Sequence, residues 1–166
     1  MKHGEFMERF TGGTLDRADW THEAHVRAAW LCLDHTGGDW RAALTKVREG
    51  IATLNAAYRR QGVVECWMNQ EQYEAALKAQ ANPPPSYHAT VTGAFVRLIA
   101  GRKRPGQSYA HFRAENPDLY DKLTAVLEHY SPELLFSDGA RSRYVRPDLR
   151  PLPAPVPAEA RELAFA

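Results

Sequence analysis

Three of the seven histidines stand in patterned positions. His22 and His25 lie three residues apart in Thr21-His22-Glu23-Ala24-His25-Val26, and His88 lies in Tyr87-His88-Ala89-Thr90-Val91-Thr92. Imidazole binds transition metals, moves protons near neutral pH, or hydrogen-bonds inside a core. Three protein ligands with a fourth position open make a catalytic metal site, whereas a closed set of four is structural. The first expectation is therefore a small metal-dependent enzyme. His22, His25 and His88 would hold a divalent transition metal, zinc or iron, and the substrate would be a small molecule. Two alternatives stay open. One is a metal-free enzyme with a histidine general base beside Tyr87. The other is a metal-free binding or oligomerisation module whose histidines are core residues. The His-x-x-His run has one residue too few between its rings for the HExxH pattern.

Other side chains complete the candidate site. Tyr87 can donate a phenolic proton or serve as a boundary aromatic. Glu23 can act as base or ligand, or stabilise a helix start as a surface acid. Thr90 and Thr92 can orient imidazoles from behind, or bond back to their own helix. Trp67 and Arg141 are the candidate substrate contacts, Arg141 within a basic group that includes Arg143, Arg146 and Arg150 around Tyr144. An arginine there suits a carboxylate or phosphate. His3, His35, His111 and His129 fall near the terminus, at helix ends or in polar stretches, and are expected to be solvated.

These residues need helices to position them. Thr21 caps a helix over 22–35, with Val26, Ala29, Trp30 and Leu33 recurring at three- and four-residue spacing. At about 100° per residue, Val26, Ala29 and Leu33 fall within roughly 40° of His22, and His25 about 60° to one side. Asp39 caps a second helix over 40–60, whose stripe is Trp40, Leu44, Val47, Ile51, Leu54 and Tyr58. Asn69 caps a short helix over 70–80. Asn82-Pro83-Pro84-Pro85 then forces an extended connection. Ser86 caps a helix over 87–102, and Thr92, Phe95 and Ile99 share the face of His88. Three histidines thus open the inward stripes of two helices, where the helix dipole and burial both favour neutral rings.

Asn116-Pro117-Asp118 starts a further helix that runs to about Tyr130, and Ser131-Pro132-Glu133 starts one more turn. Residues 1–20 form a lead-in, interrupted by Gly12-Gly13. From Ser137 the chain is polar, basic and proline-rich, which predicts an extended or disordered arm. The fold class is all-α, a bundle of about four main helices with that arm at its end. Residues 1–150 form a single domain, with 63–85 as an insert or lid, and 151–166 form the tail.

Several runs taken together resemble a largely uncharacterised family of small bacterial helical proteins. They are Trp20 through Val26, Tyr87 through Thr92, Pro117-Asp118-Leu119, Tyr130-Ser131, Leu135-Phe136-Ser137 and Pro147-Asp148-Leu149 with Pro151-Leu152-Pro153. The resemblance spans about residues 15 to 153. It implies that His22, His25 and His88 are family features, without implying a reaction. The stretch from Val63 to Ser86 is longer than the family's usual connection. Ala89 stands where relatives carry Glu.

Bulk composition narrows the classes. The chain has 166 residues, 44% apolar and 25% charged, the range of a folded domain. With 21 basic and 20 acidic residues the net charge is +1, so the basic excess of a nucleic-acid binder is missing. No run approaches the roughly 18 apolar residues of a membrane span. No secretory signal is read at the start, and a cytoplasmic location is expected. Cys32 and Cys66 form no CxxC pair, and Cys32 reads as a buried small hydrophobe. A homo-oligomer is compatible with all of this.

Overall fold

The computed structural model describes residues 1–63 and 87–153. The expected helix over 70–80 with its Asn69 cap, the proline connection, the Ser86 cap, Cys66, Trp67 and most of the insert lie outside the described residues, as do residues 154–166 of the tail. Among the described residues all regular structure is helical. None of these helices is long and apolar enough to cross a membrane.

The first helix, α1 (His3–Gly12), falls inside the expected lead-in. Phe6 and Phe10, four residues apart, bury one face, and Gly13 ends the helix in the left-handed region at φ 71°. α2 (His22–His35) and α3 (Trp40–Arg60) have the bounds expected from sequence. The Thr21 hydroxyl accepts from the Ala24 N–H at 3.2 Å, and Asp39 accepts from Arg41 and Ala42 N–H groups at 3.0 and 3.2 Å. Val47, Ile51, Leu54 and Tyr58 of the α3 stripe are buried. α1 packs on α3 at Gly50, where a Cβ would stand 2.2 Å from Phe10 Cζ. The Tyr58 hydroxyl donates to the Leu15 carbonyl at 2.8 Å and pins the link from α1 to α2.

α4 (Ala89–Arg102) packs against both α2 and α3. It starts two residues later than expected, because His88 is its N-cap and not part of its first turn. α5 (Tyr109–Glu115) follows, capped by Ser108. The long helix expected from Asn116 to Tyr130 is broken. Residues Pro117–Tyr120 form a 3-10 turn, Lys122 takes φ 49°, and α6 spans only Thr124–Leu127. Arg102 holds that turn against the end of α4, with Nη1 and Nη2 donating to the two Asp118 carboxylate oxygens at 2.8 and 2.9 Å.

α7 (Pro132–Leu135) is the expected extra turn, capped by Ser131. The arm expected to be extended or disordered from Ser137 instead begins with α8 (Asp138–Ser142), capped by Ser137. Residues 143–153 then run extended but anchored. The buried Thr90 hydroxyl donates to the Arg143 carbonyl and accepts from the Val145 N–H, at 3.0 and 3.1 Å. The Tyr130 hydroxyl donates to the Val145 carbonyl at 2.7 Å. His129, expected to be solvated, is buried. Its Nδ1 donates to the Arg150 and Pro151 carbonyls, both at 3.1 Å. Leu152 is buried, so the core extends past residue 150.

Candidate functional site

Helical register alone predicted that three imidazoles face inward, and all three line one cavity of about 520 Å³ between α2, α3 and α4. Its walls are mainly apolar, among them Trp20, Val26, Ile51, Phe95 and Leu123. Tyr87 and Thr92 also line it.

His22 is the first residue of α2. Its Nε2 donates to the Leu119 carbonyl at 2.8 Å, and its ring meets Phe95 edge-on at 5.3 Å between centroids. A continuous helix would have used that carbonyl for the Leu123 N–H. The break after Pro117–Tyr120 leaves it for the imidazole. With the proton on Nε2, Nδ1 carries the lone pair and meets no partner among the described residues.

His25 is held by its own helix cap. Nδ1 donates to the Thr21 carbonyl at 2.7 Å, and the ring stacks on Trp20 with centroids 3.8 Å apart. Nε2 is left as the acceptor, without a partner among the described residues. Protein surrounding the ring pushes its pKa down to about 4, the charges of His22 and Arg17 push the same way, and the Thr21 carbonyl opposes them. The ring also lines open space and the residue is solvent-exposed. That water moderates the shift without changing its direction. At neutral pH His25 is an uncharged acceptor.

His88 uses both nitrogens. Nδ1 accepts from the Val91 N–H at 3.1 Å as the cap of α4, and Nε2 donates to the Leu135 carbonyl at 2.8 Å. The Leu135 carbonyl is at the open C-terminal end of α7, so His88 satisfies orphan groups of two helices at once. Burial lowers its pKa, the Leu135 bond opposes, and the charge of Arg141 adds to the lowering. In this geometry His88 has no lone pair to offer a metal. Among the described residues no three His, Cys, Asp or Glu side chains form a set that could hold a metal ion.

The other candidates divide. Tyr87 lies on the cavity wall, half-buried. Burial raises its phenol pKa against the charge of Arg48 and a hydrogen bond with Thr92. Thr92 also lines the cavity, but its hydroxyl donates to the His88 carbonyl at 2.8 Å, within its own helix. Thr90 contacts the C-terminal arm and orients no imidazole. Glu23 is exposed outside the cavity, paired with Arg113 Nε at 2.8 Å. It is therefore the surface acid of a helix start. Arg141 is half-buried near His88, and Arg143 is the member of its basic group that reaches a cavity. Trp20, which from its sequence suits either a pocket or an aromatic core, is buried and lines the cavity. Its signal was its place directly before Thr21-His22, at the mouth of α2. The Arg102-Lys103-Arg104 run, the other basic feature, is consumed by Asp118, Asp34 and Glu115.

Compared with known protein families, with curated proteins and with solved structures, the chain matches none of them.

Proposed function

We propose that this chain binds a small, mainly apolar molecule carrying a hydroxyl or N–H donor, with His25 Nε2 as the acceptor. The observation that carries this reading is the His25 ring on a cavity of about 520 Å³, its Nδ1 bonded to the Thr21 carbonyl and its Nε2 without a partner among the described residues. A mainly apolar cavity with a few converging polar groups is the ordinary form of a small-molecule site. An imidazole whose pKa lies below its ordinary value is uncharged at pH 7 and can accept a hydrogen bond there.

Calorimetric titration with para-propylphenol and with propylbenzene tests the reading, because the two differ in the donor alone. The phenol should bind about fivefold more tightly, the value of a hydrogen bond worth about 1 kcal/mol. His25→Phe keeps a ring on Trp20 and should abolish the difference. Equal binding of both compounds to the unaltered protein would remove the proposal's support.

A metal-dependent enzyme is the second reading. It is favoured by two imidazoles on one cavity, each with a ring nitrogen that has no partner among the described residues. His22 Nδ1 and His25 Nε2 would be the zinc or iron ligands, and His88 would have to release Val91 and Leu135 to join them. Metal analysis of untagged protein, before and after His22→Ala, separates the readings. About one ion per chain that disappears in the variant supports the metal.

A further inference from the structure

A second cavity, of about 710 Å³, adjoins the first, and Ile51 and Tyr87 line both. Its lining differs in charge. Arg48 and Arg59 come from α3 and Arg143 from the start of the C-terminal arm, against one acid, Glu49. Elsewhere Arg102, Arg104 and Arg113 each meet a carboxylate within 2.9 Å. Arg48 and Arg143 are exposed and meet no acid among the described residues. Arg48 also lies close enough to Tyr87 for its charge to act on the phenol, which places a cation beside the shared wall.

We propose that the ligand of the histidine cavity is an anion, with an apolar body and donor beside His25 and a carboxylate or phosphate held between Arg48 and Arg143. Guanidinium matches either group through paired N–H donors. The two arginines line the same cavity from separate elements, α3 and the arm, so an anion held there would draw donors from both. A cationic wall beside a low-dielectric cavity also concentrates anions before they bind. The inference rests on the proposed function, because it names the class of ligand for that same cavity.

Three matched probes separate the two ideas. They are para-propylphenol, para-hydroxyphenylpropanoate and the longer para-hydroxyphenylhexanoate, which allows for the span between the cavities. At least one carboxylate should bind about tenfold more tightly than the phenol, and added salt should weaken the carboxylate selectively. Arg48→Ala and Arg143→Ala should each weaken that carboxylate by about tenfold, the size of one charge-assisted contact. They should leave para-propylphenol binding unchanged, which also shows that the variants are folded. Arg48→Lys should restore part of the loss. If phenol and carboxylates bind alike and the arginine variants change neither, the anion inference fails and the cavity reading stands. If no probe binds, both fail.

Discussion

Replacing His88 by alanine separates a structural imidazole from a metal ligand. The ring makes two hydrogen bonds, to the Val91 N–H at 3.1 Å and to the Leu135 carbonyl at 2.8 Å. Losing an N-cap costs about 1 kcal/mol. Stranding the Leu135 carbonyl costs about another 1 kcal/mol. His88→Ala should therefore destabilise the protein by about 2 kcal/mol. In a domain of this size that lowers Tm by about 4–8 °C. His88→Asn can cap α4 through its side-chain oxygen but is too short to reach Leu135, so about half the loss should return. Urea denaturation of both variants, with and without a strong chelator, measures this. A metal ligand behaves differently. Both variants would then cost the same, and chelator would bring the unaltered protein down to their level. Either that pattern, or a His88→Ala protein within about 0.5 kcal/mol of the original, would refute the double-cap account.

Gly50→Ala should cost about 1–3 kcal/mol, because its Cβ would lie 2.2 Å from Phe10 Cζ. Adding Phe10→Ala should give less than the sum of the two losses in urea melts, since the clash is then gone. Thr90→Val keeps the shape but strands the Val145 N–H, at about 1–3 kcal/mol, and trypsin should cut the arm after Arg141 or Arg143 faster, since prolines follow Arg146 and Arg150. Acid should weaken the fold through its neutral imidazoles. The folded pKa values of His25 and His88 lie below the ordinary value near 6.5, so the unfolded chain binds more protons in acid. Their contribution is complete above about pH 6.5 and is lost as pH falls below it, for His25 toward about 4. Urea midpoints of His25→Phe should fall less across that window than those of the unaltered protein.

Local signals were legible in the sequence, and long-range ones were not. Thr21 and Asp39 cap their helices through N–H groups two or three residues away, so α2 and α3 had their bounds written beside them. The same short-range periodicity put His22, His25 and His88 on the inward faces of their segments, but left open whether the two segments meet, which the structure shows at one cavity. The duties of those rings depended on distant carbonyls. His22 reaches Leu119, and His88 reaches Leu135. No spacing rule connects such pairs, so a ring committed at both nitrogens looked like a free ligand. The broken helix after Asn116 has the same origin, because tertiary demand from α2 and α4 overrides a favourable local start. α1 was missed because two phenylalanines four residues apart are a faint stripe in a polar, ten-residue segment. The basic arm looked unstructured because its partners, Thr90, His129 and Tyr130, lie on other elements.

The anchoring of residues 143–153 also sets an order of assembly during synthesis. Chains fold from the N-terminus as they emerge, and α1, α2 and α3 can associate early. The Leu119 and Leu135 carbonyls that hold His22 and His88 are made much later. Arg143 and Tyr144, which close one side of the arginine-lined cavity, come later still. A nascent chain released before Ser142 would thus carry Arg48 and His25 without the opposing wall. On the proposed function, ligand binding would then require the chain through Tyr144, and shorter fragments would not compete for the same molecule.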